Sequence, residues 1–531
     1  MSVQELFVDG ERLTGSSARS KNLSAIMSIA NTVKSSYGPN GLDKMIISKI
    51  GDVSITNDGA TILSSLQSTD SAGRILIDLA VQQDEEVGDG TTSVVLLAAA
   101  LIEYGIGLIE DGVHPTIVVS GYKTAFKHSV GFIRNTLEKK MKHVGHADLL
   151  KICESTISSK VIRCSSGLFS KLMVDSVQAV KRVELDKSIS YPIEEINILK
   201  KQGKSMDESM FIAGYAINCV PSSNLMPTRV NRARIVCLDM DLQQMKMGLS
   251  VKITAETPDD LEKIREKEIT NSHDKIRKLL KHGVNVIFTT KGISDGCTKL
   301  LIEAGALGIR RCKKEDLERI AATTGTKVYS SFEDVTGEEF VPMIGTADSV
   351  HIEILGEERC TVISTSKGVG ASIILRGANE QILDEMERSV HDGLCTLKRT
   401  LESKSVVVGG GAFETALGVY ISNFGLSFGT NEQVVIQKFG DALLRIPKTL
   451  LVNAALDTNE VYAKLLSEHD KCNWDMGLDL EKGTVVDNFK KGVIEPLDTK
   501  LKALRAATEA AISILRIDEV IVLAEDEPPK K

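Results

Sequence analysis

A chain of 531 residues, 42% hydrophobic and 26% charged, has an ordinary globular composition and length for about three to four domains. Its net charge of -8, with no basic stripe interleaved with aromatics, argues against nucleic-acid binding and against adhesion to anionic membranes. Aromatic residues make up only 4%, with Trp474 the single tryptophan, so the core must rest on Leu, Ile, Val and Ala, as in a helix-rich chain.

The nine cysteines stand at 153, 164, 219, 237, 297, 312, 360, 395 and 472, and no two are spaced as C-x-x-C. That scatter signals neither a zinc ribbon nor a dithiol motif and reads as free thiols in a reducing compartment. The opening MSVQELFVDGERLTG has no apolar signal-peptide core, and its acids argue against a transit peptide. No uninterrupted apolar stretch reaches the roughly 18 residues of a bilayer span. The expectation is a cytosolic, multi-domain chain.

In chain order, residues 20–37 carry Leu23, Ile26, Ile29, Ala30 and Val33 at helical spacing, with Gly38-Pro39 as a stop. Residues 43–63 read as two short strands around Gly51-Asp52, then a turn and a helix from Ala60. Residues 85–102, EEVGDGTTSVVLLAAALI, form a third loop-to-helix junction. Residues 257–283 open at Thr257-Pro258 as a helix too charged in its first half to be well buried. From about residue 284, strand-like VNVIFTT, LGIRRC and TKVYSS alternate with helix-like SDGCTKLLIEAG and KKEDLERIAATTG, the pattern of an α/β domain. Helices return at 380–403, after the glycine triplet 409–411, and at 501–518, before a tail expected to be mobile. Helical ends around an α/β centre suggest a discontinuous domain carrying an insertion.

The chemistry-bearing stretches each allow two readings. In Gly88–Thr92, GDGTT, the glycines and the helix start would offer N–H groups to an anion, with hydroxyls from Thr91, Thr92 and Ser93. Asp89 would repel a phosphate unless a divalent cation sat between them; Mg²⁺ binds through one or two carboxylates plus phosphate oxygens. The plainer reading makes Asp89 and the threonines a helix cap. Asn57–Thr61, NDGAT, is either a second such junction or a type I′ turn or N-cap. The stretch YGPNGLDKM reads alone as a plain turn, and His391-Asp392 reads alone as a solvated helix face. Three glycines at 409–411 ahead of a helix are costly unless something approaches their backbone closely. No G-x-x-x-x-G-K-[ST], H-E-x-x-H or G-x-S-x-G occurs, and GVGASI at 368–373 lacks the third glycine of a dinucleotide fingerprint.

Taken together, VKSSYGPNGLDKM, TNDGATIL, EVGDGTTSVVLLAAAL, GGGAFETAL and ATEAAISILRID resemble the group II chaperonins, ring-forming ATPases that fold proteins. The likeness runs almost end to end, and the pair GDGTT with NDGAT is highly specific. The resemblance implies a multi-domain α+β and α/β subunit. A helical equatorial ATP-binding domain would span 1–147 and 403–531, and a small intermediate hinge 148–214 and 370–402. An α/β apical client-binding domain would span 215–369, with a helical lid protrusion near 245–282.

The resemblance also implies roles, position by position. Asp89 would hold Mg²⁺. Gly59, Gly90, Thr91, Thr92 and Ser93 would meet the phosphates, as would the loop at Gly38 and Pro39. Gly410 and Gly411 would pack on the nucleotide, Gly477 would lie in the adenine pocket, and Glu495 would face the ribose. Asp58 and Asp392 would position and activate the attacking water, Asp392 reaching it when the hinge closes. Ser158, Ser159 and Lys160 would approach the phosphates from the hinge. The implied cofactors are ATP/ADP and Mg²⁺. The implied partners are paralogous subunits in a hetero-oligomeric double ring, non-native cytosolic clients such as actin and tubulin, and co-chaperones, with no nucleic acid and no membrane. Val408 stands where the family usually has proline, which should alter loop stiffness more than binding. Two alternatives are a ring member that binds ATP but hydrolyses little, and a small-molecule kinase or ligase.

Overall fold

The computed structural model describes residues 10–66, 68, 70–141, 145–183, 189–243, 270, 272–330, 343–355, 358–365, 370–429 and 431–523. They fall into two compact units, Met1–Ser170 with Arg388–Lys531, and Lys171–Glu387. Both chain ends build the first unit, and the second is inserted between them. Of the expected hinge segments, 148–170 and 388–402 belong to the first unit, and 171–214 and 370–387 to the second.

The first unit is organised around the helix Thr91–Glu110. Its residues 94–102 are all aliphatic and all buried, so it has no polar face and must be covered on every side. The helices Gly15–Lys34, Ser71–Val87, Glu432–Leu443 and Leu497–Leu515 cover it. By length and a mean hydropathy of 2.0 it could cross a membrane, the one such helix among the described residues, yet most of it is buried inside this core. Tyr122 locks the neighbouring helix Pro115–Phe132 to it, donating its hydroxyl to the Leu101 carbonyl at 2.7 Å while its ring meets Phe439 edge-on.

The first helix begins five residues before the expected start and ends at Lys34, short of the glycine-proline stop. Ser36 accounts for the early end: its hydroxyl donates to the Val33 carbonyl at 2.8 Å, competing with a further helical turn. The two expected short strands, Lys44–Ile47 and Val53–Thr56, pair antiparallel. A second small sheet sets Ser405–Val408 between Lys139–Lys140 and Ile494–Pro496, with Val408 opposite Ile494. That ladder carries Glu495 and the glycine triplet to the same edge.

The second unit holds a mixed sheet in the order Leu307–Ile309, Val286–Thr289, Arg229–Leu238, Gly345–Leu355, Glu358–Ser364, Met210–Ile217, Ala371–Gly377, Ile196–Gln202. Val328–Tyr329 pairs with Arg229–Leu238 as well. The strands from 286 to 329 are parallel and joined through helices Asp295–Glu303 and Lys314–Thr324, the α/β alternation read from sequence. The strand expected over LGIRRC stops at Ile309, because Arg311 takes a left-handed turn at φ 59°. Residues 272–281 are helical, whereas 244–269 and 271, most of the expected protrusion, lie outside the described residues, as does the tail from 524.

Leu101 is wholly buried, whereas Ile50 is 90% exposed. Leu101→Ala should therefore cost the first unit about 2–5 kcal/mol, and Ile50→Ala should be near neutral. Urea unfolding of both variants, followed by far-ultraviolet circular dichroism, checks this; equal midpoints would remove Leu101 from the core.

Candidate active site

The helix Ser71–Val87 ends at Gly88 with φ 75°, and Thr91–Glu110 begins after Gly90 with φ 81°. Three residues thus reverse the chain between two helices, a geometry open to glycine on either side of Asp89. No side chain caps the second helix, so its first N–H groups remain open. Asp89 is not its cap. Its Oδ1 accepts the N–H of Gly90 at 2.7 Å, and no described residue bonds its Oδ2.

A second helix start faces the first. Asp58 caps Gly59–Ser65, its Oδ2 accepting from Thr61 N at 2.9 Å and Thr61 Oγ1 at 2.7 Å. The cap reading of NDGAT therefore holds and the turn reading does not. Its other oxygen, Oδ1, lies 3.4 Å from Thr91 Oγ1. Burial raises the Asp58 pKa, but Lys160 and the bonds from Thr61 and Ala60 outweigh it and hold the carboxyl below its usual range.

Asp392 behaves oppositely. The solvated-face reading of His391-Asp392 fails for Asp392, which is 8% exposed, because this part of Glu380–Ser403 packs within the first unit. Its Oδ2 pairs with Lys160 Nζ at 2.8 Å. Burial dominates, and with Asp58 and Asp89 nearby it pushes the Asp392 pKa up to about 8 against the pull of Lys160. Two carboxylates in one site thus differ in proton affinity because one is capped by donors and the other desolvated.

All the residues singled out from sequence except Gly477 line one cavity of about 500 Å³. Gly38 and Pro39 form a turn closed by Gly41 N–H to Gly38 O at 2.9 Å. Ser158, Ser159 and Lys160 form another part of the wall, where Asn57 Nδ2 donates to Ser159 O at 2.5 Å. Gly410 has φ 65°, and a Cβ there would lie 2.3 Å from Asn488 Nδ2. Gly477 sits behind the same asparagine, its would-be Cβ 2.2 Å from that Nδ2, while its neighbours Leu478 and Asp479 reach the cavity.

Sequence reasoning missed Lys500, Tyr37 and Glu414. Lys500 is buried and holds both Glu414 Oε1 and Glu495 Oε2 at 2.8 Å. Burial raises Glu495 even so, and the two carboxylates hold Lys500 well above its usual value despite burial. Ser93 Oγ reaches Tyr37 OH at 3.4 Å, and burial raises that phenol. A lysine in an Ala-rich helix carries no local signal of such a role.

Seven carboxylates and five cations line the cavity. Four of the cations are already paired: Lys160 with Asp392, Arg163 with Glu481, Lys491 with Asp479, and Lys500 with Glu495. Asp58, Asp89 and Glu154 remain against Lys151. A phosphate about 4 Å from one unscreened carboxylate would lose about 4 kcal/mol at an effective dielectric near 20. A helix N-terminus returns only about 0.3–2 kcal/mol. Any polyphosphate here therefore needs a cation. Among the described residues no three acidic, His or Cys side chains gather to cage a metal. One carboxylate with an open oxygen fits Mg²⁺, which takes its remaining ligands from phosphate and water.

Residues 29–525 match the sequence profile of the TCP-1/cpn60 chaperonin family. The chain is 49% identical to T-complex protein 1 subunit alpha of Encephalitozoon cuniculi, over 99% of both chains. It is 46% identical to the protein of that name from Arabidopsis thaliana, again over 99% of each. Identity to thermosome subunit alpha of Sulfolobus acidocaldarius is 35%, over 97% of this chain and 94% of the other. The likeness to alpha subunits agrees with residues 191–219 and 374–395, which look most like that subunit of the eukaryotic cytosolic chaperonin.

Because the folded Asp392 pKa lies above the unfolded one, its protonation stabilises the ligand-free chain. That contribution is fully present below the unfolded value of 3.8 and is lost as pH rises through about 8. Asp392→Asn should flatten the fall in urea midpoint between acidic and mildly alkaline pH. An unchanged slope would mean the carboxyl is not the titrating group.

Proposed function

The chain belongs to the TCP-1/cpn60 chaperonin family, and we propose that it is an ATP-hydrolysing chaperone subunit whose catalytic centre is the Asp58–Asp89–Asp392 cavity. The observation that carries this reading is the gathering of capped Asp58, open Asp89 and Lys160-paired Asp392 in one cavity beside an open helix start. Thr91, Thr92 and Ser93 bind the phosphates through backbone N–H and hydroxyl groups, with Gly38, Pro39, Gly59 and Gly90 allowing close approach. Asp89 would hold Mg²⁺, which when bound supplies the positive charge that the cavity lacks. Asp58, kept ionised, orients the attacking water. Asp392, with a proton affinity near neutral pH, accepts its proton, the match of pKa to working pH that general bases require. Lys160 fixes the Asp392 carboxylate. Gly410 and Gly411 pack on the nucleotide, Glu495 and Lys500 line its ribose side, and Gly477 supports the base pocket from behind.

In this reading the three-part division applies: equatorial 1–147 and 403–531, hinge 148–214 and 370–402, apical 215–369 with a lid near 245–282. Hydrolysis drives lid closure of a cytosolic, hetero-oligomeric double ring around non-native clients such as actin and tubulin. Assembly finds support in the hairpin Lys44–Thr56 and its approach, where Leu42, Met45, Ile47 and Ile50 are exposed, an apolar patch suited to burial against another chain.

Asp392→Ala should still bind ATP while turnover falls about 10²–10⁴-fold. Hydrolysis at the wild-type rate in a steady-state phosphate-release assay would remove Asp392 from the reaction. Asp89→Ala should weaken Mg²⁺-dependent nucleotide binding about tenfold or more. A calorimetric titration with unaltered Mg²⁺ dependence would overturn the metal assignment.

A further inference from the structure

The second unit holds two thiols that the nucleotide chemistry does not use. Residues 219–222 run antiparallel to 308–311: Pro221 bridges Ile309, and Ser222 N–H donates to Gly308 O at 2.9 Å. Continuing that register sets Cys219 opposite Arg311, and Cys219 Sγ lies 3.7 Å from the Arg311 carbonyl oxygen. The left-handed turn at Arg311, φ 59°, sends the next side chain inward, so Cys312 is 3% exposed. Cys219 packs against the same hydrophobic cluster in which Cys312 is buried, so the register and this turn make the two thiols neighbours.

Their environments differ. Cys219 is half-buried and Cys312 is buried. The neighbouring Cys312 thiol lowers the Cys219 pKa, burial and Asp316 oppose it, and Lys313 and Lys201 add to the lowering. Cys312 is raised, by the Cys219 thiol first and then by burial. One partner is thus the accessible nucleophile and the other a protonated reserve.

We propose that Cys219 and Cys312 form a redox-active dithiol that a peroxide closes to a disulfide. The Cys219 thiolate attacks one oxygen of hydrogen peroxide, breaking the O–O bond. The hydroxide released takes up a proton as water, and sulfur is left as the sulfenic acid. The Cys312 sulfur then attacks the Cys219 sulfur; its proton and the displaced hydroxide leave as a second water, and the S–S bond forms. Two electrons pass from the thiols to the peroxide, and a dithiol reductant restores them by exchange. The closed bond ties the end of the strand Met210–Ile217 to the loop ahead of the helix Lys314–Thr324. In a reducing compartment such a bond is a transient sensor rather than a structural staple.

The test treats the full-length chain with graded hydrogen peroxide at neutral pH, alkylates the remaining thiols and identifies peptides by mass spectrometry. A linked Cys219–Cys312 peptide should form at lower peroxide than oxidises the exposed Cys164 and Cys472, and dithiothreitol should abolish it. Cys219→Ser should prevent it. Cys312→Ser should leave Cys219 as a sulfenic acid captured by dimedone, with Cys312→Ala as the second variant should serine disturb the packing. The proposal is overturned if both thiols stay open to alkylation once Cys164 and Cys472 are oxidised. It is equally overturned if dimedone captures no sulfenic acid at Cys219 in either Cys312 variant.

Discussion

The site depends on how closely two helix starts can approach. A Cβ on Gly59 would stand 2.5 Å from Thr92 Oγ1 and 3.0 Å from Thr92 N, distances that no side chain tolerates. Its absence lets the Asp58-capped helix abut the start of Thr91–Glu110, so that Asp58 and Asp89 share one cavity although 31 positions apart. The longer helix is held by its aliphatic surroundings, which gives the open N–H groups a fixed direction. Core packing thereby sets the position of the polar chemistry.

Charge follows from that geometry. Bringing several carboxylates together around N–H donors leaves the cavity short of positive charge, and all its lysines but Lys151 are spent on pairing. Lys500 illustrates the constraint. Buried between Glu414 and Glu495, it cannot be withdrawn to meet a phosphate without leaving the buried Glu414 uncompensated, a loss of about 3–5 kcal/mol in comparable pairs, and the partly buried Glu495 unpaired as well. This accounts physically for a phosphate-type loop that has an aspartate where other such loops carry a lysine.

The local motifs were legible because each is a backbone device with a strict residue requirement. Gly88 and Gly90 bracket a reversal, Asp58 caps a helix, and Gly410 sits where a Cβ would strike Asn488. The helix Glu380–Ser403 and the α/β alternation were legible from period alone. What could not be read is what long-range packing decides. Asp392 occupies an unremarkable helix position until folding buries it against Lys160, more than 200 residues away. Lys500 and Cys312 have no local signature either; the absence of C-x-x-C spacing hid a thiol pair that only sheet topology brings together.

Lys160 ties these strands together. It lowers the proton affinity of Asp58 and of Asp392 alike, yet only Asp58 also receives hydrogen bonds from a helix start. The difference between the two carboxylates therefore does not come from their shared cation; it comes from the cap at Asp58 and from burial beside Asp58 and Asp89 at Asp392. Lys160 stands on the short segment whose Ser159 carbonyl is held by Asn57, the residue immediately before that cap. Displacement of the 158–160 segment would remove the pull of Lys160 from both carboxylates. Asp58 would keep its bonds from Thr61, whereas Asp392 would lose its ion pair, so the position of this wall bears on proton affinity at both groups and on the pairing of Asp392 above all.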